Sequence, residues 1–290
     1  MRLFVFGAGY SGRAIAAEMA GKAGWAGGST RSADNGPALR RAGLEPFLFD
    51  GLALPQDLLQ VLSGVTHLVQ SIAPGEDGDP LLNLAGGDLK AIMPGLQWST
   101  YLSTVGVYGD HQGGWVNEET VCKPVSKRSL WRRHAEAAWQ QAADRAGIPC
   151  AVQRLSGIYG PGRNRFNSLA AGTARRIIKP GQVFNRIHVD DIAGATAHLA
   201  DRNAGGLWNV TDNLPAPPQD LITYASELMG VEPPPEIAFE TADLSAMARS
   251  FYGENKRVSN RKLRDSGYAF RAPDYRTALA AMWRDDTWRG

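Results

Sequence analysis

Three glycines at fixed spacing, Gly7-x-Gly9-x-x-Gly12, and two adjacent hydroxyls, Ser103-Thr104, stand out in this 290-residue chain as groups suited to chemistry. The glycines follow the apolar, β-forming run Arg2–Phe6 and lead directly into Arg13–Ala20, which has helical composition. In a strand, turn and helix of that kind, Gly7 permits the tight turn and Gly9 leaves room for a pyrophosphate. Gly12 lets the helix pack close to the strand. Tyr10 and Ser11 complete the turn, and the N–H groups opening the helix offer a positive end to phosphates. The stretch predicts a dinucleotide site. Ser103 and Thr104 end the strand pattern Trp98–Leu102, where ligands lie in an open parallel sheet. There they can meet a substrate carbonyl or alcohol, or merely finish the strand by bonding backbone groups.

The other strand ends extend this site. Trp25–Ser32 occupies the place of a second strand and its exit. A sheet that binds NAD usually ends this strand in Asp or Glu, to hold the ribose 2′-hydroxyl. Here stand Ser29, Thr30, Arg31 and Ser32. A guanidinium flanked by hydroxyls suits a 2′-phosphate better, so NADP is expected over NAD, unless Arg31 is a solvated loop cation. Asp50, the last residue of the strand pattern Leu44–Asp50, can accept from an adenine amino group or cap the turn at Gly51. A fourth strand over Thr66–Ile72 places Ser71, Ile72, Ala73 and Pro74 beside the cofactor, with His67 structural.

Composition bounds the elements that must hold these groups. The chain is 43% hydrophobic and 21% charged with net charge +2, ordinary for a soluble enzyme and suggesting neither nucleic acid nor membrane. No apolar run reaches the roughly 18 residues of a spanning helix, so a cytoplasmic protein is expected. Cys122 and Cys150 make neither a disulfide framework nor a metal spacing, and Cys150 reads as a buried small hydrophobe. The histidines show no paired ligand spacing, so no metal is expected. Helices are predicted at Gln56–Leu62, at Asp79–Met93 weakened by Gly86-Gly87, at Ile192–Leu199 capped by Asp190 or Asp191, at Leu221–Met229 and at Tyr275–Trp283. A further basic helix is expected through Arg175, Arg176 and Lys179.

Four ordered segments carry a resemblance. Gly7–Gly12, Tyr101-Leu-Ser-Thr-Val-Gly-Val-Tyr-Gly-Asp110, Arg154-Leu-Ser-Gly-Ile-Tyr-Gly-Pro-Gly-Arg163 and Ile187-His-Val-Asp-Asp-Ile192 resemble the extended short-chain dehydrogenase/reductases. This group includes the nucleotide-sugar epimerases and dehydratases. Asn209-Val-Thr-Asp212 fits the same pattern.

The resemblance implies an α/β fold, a doubly wound parallel Rossmann sheet with a smaller C-terminal substrate lobe. The expected division is residues 1–157 with 183–212 for the cofactor domain, and 158–182 with 213–290 for the lobe. Leu155 then joins the cofactor contacts. Family members usually carry Tyr-x-x-x-Lys after the Ser/Thr strand, the tyrosine exchanging a proton with the substrate. Aligning Pro124 and Glu136 with the flanks of that motif puts Arg128 at the tyrosine position and Arg132 at the lysine position. Arginine stays protonated in the working range and cannot replace the phenol. Arg132 can still hold a ribose or phosphate, and Arg128 points toward a substrate. Tyr108 or Tyr159 becomes the candidate proton donor, with Thr104 and Ser103 orienting the substrate oxygen. Arg163, Arg165 and His188 suit the distal part of a small, anionic or nucleotide-sugar substrate.

A homodimer through helices 80–93 and 127–146 is expected from the family, with Trp131 and Trp139 as anchors. Two functions follow: an NADP-preferring oxidoreductase or epimerase/dehydratase acting on an alcohol or carbonyl, or a non-catalytic NADP-binding redox sensor that lost its acid/base pair.

Overall fold

Arg2–Phe6 buries four of its five side chains and forms β1 (Arg2–Phe6), an interior strand of a seven-stranded sheet. The computed structural model describes residues 1–290. After β1 come α1 (Tyr10–Met19), β2 (Trp25–Thr30), β3 (Glu45–Leu48), β4 (His67–Gln70) and β5 (Trp98–Thr104). The sheet order is Gly206–Val210, Cys150–Leu155, β5, β4, β1, β2, β3. Both neighbours of β1 run parallel to it, so the winding reverses between β1 and β4. This is the doubly wound parallel Rossmann sheet.

Aromatic side chains alternate along β1 and through β3 to Phe49, and they pack together beneath the helices. Phe4 and Phe6 lie with ring centroids 4.6 Å apart, and Phe6 meets Phe49 edge-on at 5.1 Å. Leu58 and Leu62 of the helix Gln56–Leu62 join this core, as do Ala135, Trp139 and Ala142 of the long helix Lys127–Ala146. Trp139 is thus fully buried within its own chain, which corrects its expected role as an interface anchor; Trp131 is partly exposed.

The expected helix over Asp79–Met93 is broken in two, Pro80–Leu84 and Leu89–Ile92. Gly86 and Gly87 at φ +58° and +71° leave the helical region, and Asp79 and Asp88 cap the two pieces. The basic stretch expected to be helical forms the strand Arg176–Ile178 instead, parallel to Glu236–Ala238, as its β-branched isoleucines favour. The helix Val189–Asp201 starts before the two aspartates. Asp191 does not cap it: its carboxylate accepts from the Tyr268 hydroxyl and from the N–H groups of Arg271 and Ala272. No helix is long and apolar enough to cross a membrane.

The chain forms two compact units. The first contains Met1–Val107, Lys127–Arg154 and Ile192–Trp208, and the second Tyr108–Ser126, Leu155–Asp191 and Asn209–Gly290. The second has its own core, in which Phe166, Leu221, Tyr275, Leu279, Met282 and Trp288 are buried.

Candidate functional site

The glycine turn is built tightly on one side and open on the other. Gly7 has φ +77°, and a Cβ there would lie 2.9 Å from Ile72 Cγ1 and 3.1 Å from the Ile72 nitrogen. A Cβ on Gly12 would meet Val5 Cγ1 at 2.9 Å, so only glycine lets α1 settle on β1. At Gly9 a Cβ would meet nothing nearer than the Gly7 oxygen at 3.9 Å. The space over Gly9 is open, where a pyrophosphate needs it. Tyr10 and Ser11 begin α1, which has no side-chain cap and no acidic residue in its first turn. An uncapped helix N-terminus beside an open glycine fits an anionic diphosphate.

Ser29 fixes this turn, a role the sequence alone does not show. Buried Ser29 accepts the Gly7 N–H on its hydroxyl at 2.9 Å and the Ala8 N–H on its carbonyl at 2.9 Å. Its place near the end of β2 suits a ribose ligand, but a buried serine acts on the turn. Further along, Thr30 Oγ1 accepts from the Ser32 N–H and from Asn35 Nδ2, and Ser32 Oγ accepts from the Asp34 N–H. These bonds fold the loop and leave Arg31 exposed. Asp50 accepts the Leu52 N–H at 2.8 Å, so of its two uses the turn cap is the one its carboxylate makes.

The opposite lip, Ser71 to Pro74, is held by a carboxylate that sequence reasoning misses. The Ser71 N–H donates to the Phe6 carbonyl, and the Ile72 N–H to Gln70 Oε1. Gln70 Nε2 in turn donates to both oxygens of buried Asp79 at 2.9 Å. Asp79 also receives Trp139 Nε1 and the N–H groups of Leu81 and Leu82. Burial pushes its pKa up, and these hydrogen bonds oppose the shift. The available signal is Asp79-Pro80, a capping residue before proline at the first helical position.

At the end of β5 the hydroxyls divide. Ser103 is buried and donates to Glu136 Oε1 at 2.6 Å, while Arg154 clamps the same carboxylate through Nε at 3.0 Å and Nη2 at 2.7 Å. Ser103 therefore ties β5 to the long helix, which corrects its catalytic assignment. Thr104 is partly exposed and accepts the Gly106 N–H at 3.1 Å, so it keeps its own proton to give. Tyr108 is fully buried and donates to Asn209 Oδ1 at 2.7 Å, a commitment that argues against it as a proton donor. Arg132 reaches the Leu102 carbonyl and the Tyr101 hydroxyl and lies 5.7 Å from the Tyr101 ring centroid. Arg128 is exposed on the first turn of the helix.

Within the second unit, the strands Gly157–Tyr159 and Arg186–His188 pair in parallel with His188 opposite Tyr159. Their rings meet edge-on at 5.3 Å. Both are buried, and burial pushes the Tyr159 phenol far up and the His188 imidazole down. Tyr159 is thereby a poor proton donor. Arg165 begins the helix Arg165–Ala170, and Arg163 is exposed. Leu155 is buried at the end of its strand. Two buried residues absent from the expected set complete this group. Arg186 donates through Nη1 to the carbonyls of Phe184 and Ala216, and Asp212 accepts the Leu214 N–H.

Burial pushes Asp212 up to about 8, against the pull of the Leu214 N–H and Arg186, with Asp274 and Asp191 adding to the rise. A folded pKa above the unfolded value near 3.9 means that this group's stabilisation is complete below about pH 4 and is lost as pH rises through about 8. Melting temperature should fall by about 3–6 °C between pH 5 and pH 8, and Asp212→Asn should flatten that slope. Calorimetric scans of both proteins across the range check this, and parallel slopes would refute it.

The sequence profile of the NAD dependent epimerase/dehydratase family matches residues 93–211. Over nearly its whole length the chain is similar to a functionally unknown conserved protein from Silicibacter pomeroyi DSS, at 44% identity and TM-score 0.89, covering 98% of this chain and 99% of the other. It is similar also to a candidate NAD-dependent epimerase/dehydratase from Methylobacillus flagellatus, at 26% identity and TM-score 0.73, with 98% of each chain covered. A 101-residue stretch is 31% identical to the 3-diazoavenalumate denitrifying reductase of a Streptomyces species. This chain spans about a third of that curated relative's length, since 32% of each is covered.

Proposed function

Since the chain belongs to the NAD-dependent epimerase/dehydratase family, we propose that it is an NADP-preferring oxidoreductase acting on a small-molecule alcohol or carbonyl. The observation that carries this reading is the open Gly9 beside the uncapped N-terminus of α1, at the point where the sheet reverses its winding. Gly7, Gly9, Tyr10, Ser11 and Gly12 would cradle the pyrophosphate, with Ser71 to Pro74 along the other lip. Arg31 would pair with a 2′-phosphate, no carboxylate standing at the end of β2 to prefer a diol. The bound nicotinamide supplies hydride transfer.

Thr104 would donate a hydrogen bond to the reacting oxygen, and Arg132, anchored to β5 through Nη1, would present its remaining N–H groups to a ribose or phosphate. With arginines at both expected acid/base positions, the proton for the reacting oxygen would come from solvent, passed through the Thr104 hydroxyl, which takes one proton as it gives one. The relatives described above give the purely regulatory alternative no weight.

Calorimetric titration tests the reading. NADPH should bind at least about tenfold more tightly than NADH, and Arg31→Ala should erase most of that difference while leaving NADH affinity unchanged. Hydride-transfer assays over a panel of carbonyl compounds should then show turnover that Thr104→Val depresses. Absence of binding by either nucleotide sinks the proposal.

A further inference from the structure

Trp115 is the outlying aromatic of the second unit, an indole 63% exposed whose ring meets no other aromatic ring and no cation of the chain. It stands on a two-residue strand, Trp115–Val116, that pairs in parallel with Arg257–Val258. Beside it opens a cavity of about 260 Å³, whose lining includes Trp115, Asn213, Asn260, Arg261, Arg264 and Asp265. Every lining residue belongs to the second unit. Pockets for drug-sized ligands run to roughly 300–1,000 Å³, so this one suits a molecule of a single ring system.

Two asparagines supply the polar wall. Asn260 is 6% exposed and donates through Nδ2 to the Thr211 carbonyl at 2.9 Å and to Asn213 Oδ1 at 2.8 Å. A backbone carbonyl only accepts, so the end of Asn260 that faces Thr211 is the nitrogen, and both amides are thereby oriented. One acceptor, Asn260 Oδ1, and one donor, Asn213 Nδ2, are left without a partner in the chain. The frame around them is fixed: the Ser259 N–H donates to the Val116 carbonyl at 2.9 Å, and the Asn213 N–H to the Pro273 carbonyl at 2.8 Å. The charges here do not ask for an ion. Arg261 is answered by Asp265 at 3.2 Å, and Arg264 is exposed to solvent, with Asp212 lining the same cavity.

We propose that this cavity binds a small planar lactam, a ring with adjacent N–H and C=O groups, stacked on Trp115 with its carbonyl accepting from Asn213 Nδ2 and its N–H donating to Asn260 Oδ1. A donor and an acceptor on two side chains bonded to each other match that edge and few others. A carboxylate sets two acceptors against one donor and leaves Asn260 Oδ1 facing negative charge, and an ammonium leaves Asn213 Nδ2 facing positive charge. A plain hydrocarbon ring satisfies the indole alone and strips water from both amide ends without replacing it. The exposed indole adds the flat apolar surface on which a conjugated ring lies. Because the cavity lies wholly within the second unit, it needs no nucleotide in the first.

The test titrates the whole protein with 2-pyridone while the indole N–H signals of its eight tryptophans are followed by NMR. The signal missing from Trp115→Ala identifies Trp115, and that signal should shift saturably. N-methyl-2-pyridone keeps the ring and the carbonyl but has no N–H, and it should bind about tenfold more weakly. Asn213→Asp, which still accepts from Asn260 but donates nothing, should weaken 2-pyridone about tenfold, and Trp115→Ala, read by calorimetry, should weaken it by at least as much. Trp115 is exposed, so its loss leaves a folded protein even if Asn213→Asp does not. NADPH titration of the same samples reports separately on the first unit, so failure of the cofactor site and failure of this one are distinguishable. No saturable shift at Trp115, equal binding of the N-methyl compound, affinity that neither variant alters, or binding of benzoate in preference to 2-pyridone each overturns the lactam site.

Discussion

Arg154→Met should lower the stability of the protein by about 3–5 kcal/mol, because it strands a carboxylate in the core. Glu136 is fully buried and Arg154 is 1% exposed, and the two nitrogens of the guanidinium grip the two carboxylate oxygens at 3.0 Å and 2.7 Å. With the arginine gone, Glu136 keeps the Ser103 hydroxyl and a distant Arg133, whose nitrogen lies 4.0 Å away on a side chain 41% exposed. A half-solvated cation at that distance compensates weakly. Thermal unfolding should therefore move down by roughly 10 °C. The double variant Glu136→Leu with Arg154→Met should regain most of the loss, since removing both charges removes the desolvation cost along with the attraction. A single variant within about 1 kcal/mol of the parent would show that the pair is not what fastens β5 to the long helix.

Glu136 and Arg154 also mark where a one-dimensional reading stops. In the sequence Glu136 stands out only as the flank of a motif and Arg154 only as the start of one. Nothing in their spacing says that they meet, 18 positions apart, across a strand and a helix. The glycine turn is legible because its constraints are local: strand, turn and helix adjoin in sequence, and each glycine's role follows from backbone geometry. The split of Asp79–Met93 is legible in part, since Gly86-Gly87 is a local breaker. Its consequence is not, because Asp79 serves as a hub only when Gln70 and Trp139 arrive from other elements.

Ser103 shows the same limit from the other side. Two adjacent hydroxyls look alike on paper, but alternation along β5 sends them to opposite faces, and only Ser103 meets Glu136. Tyr159, Arg186 and Asp212 sit on three separate segments, and only the folded chain shows that all three are buried.

Gly9→Val should leave the fold unchanged and remove nucleotide binding, by at least about 100-fold, or roughly 2.7 kcal/mol. The reason lies in what each glycine faces. At Gly7 a side chain would collide with Ile72 and force an unfavourable φ of +77°, so loss of binding there could come from a distorted turn. At Gly12 the obstruction is Val5, and the distortion would be of helix against strand. Gly9 alone of the three faces open space, since a Cβ there would stand 3.9 Å from its nearest non-adjacent atom. A Cβ there meets no clash, and the valine methyls beyond it would occupy the volume proposed for the pyrophosphate. An unchanged melting curve with lost NADPH affinity would place the diphosphate over Gly9. Retained affinity in a folded Gly9→Val protein would remove the dinucleotide from that turn, and with it the argument that joins Arg31, the Ser71–Pro74 lip and Thr104 into one cofactor site.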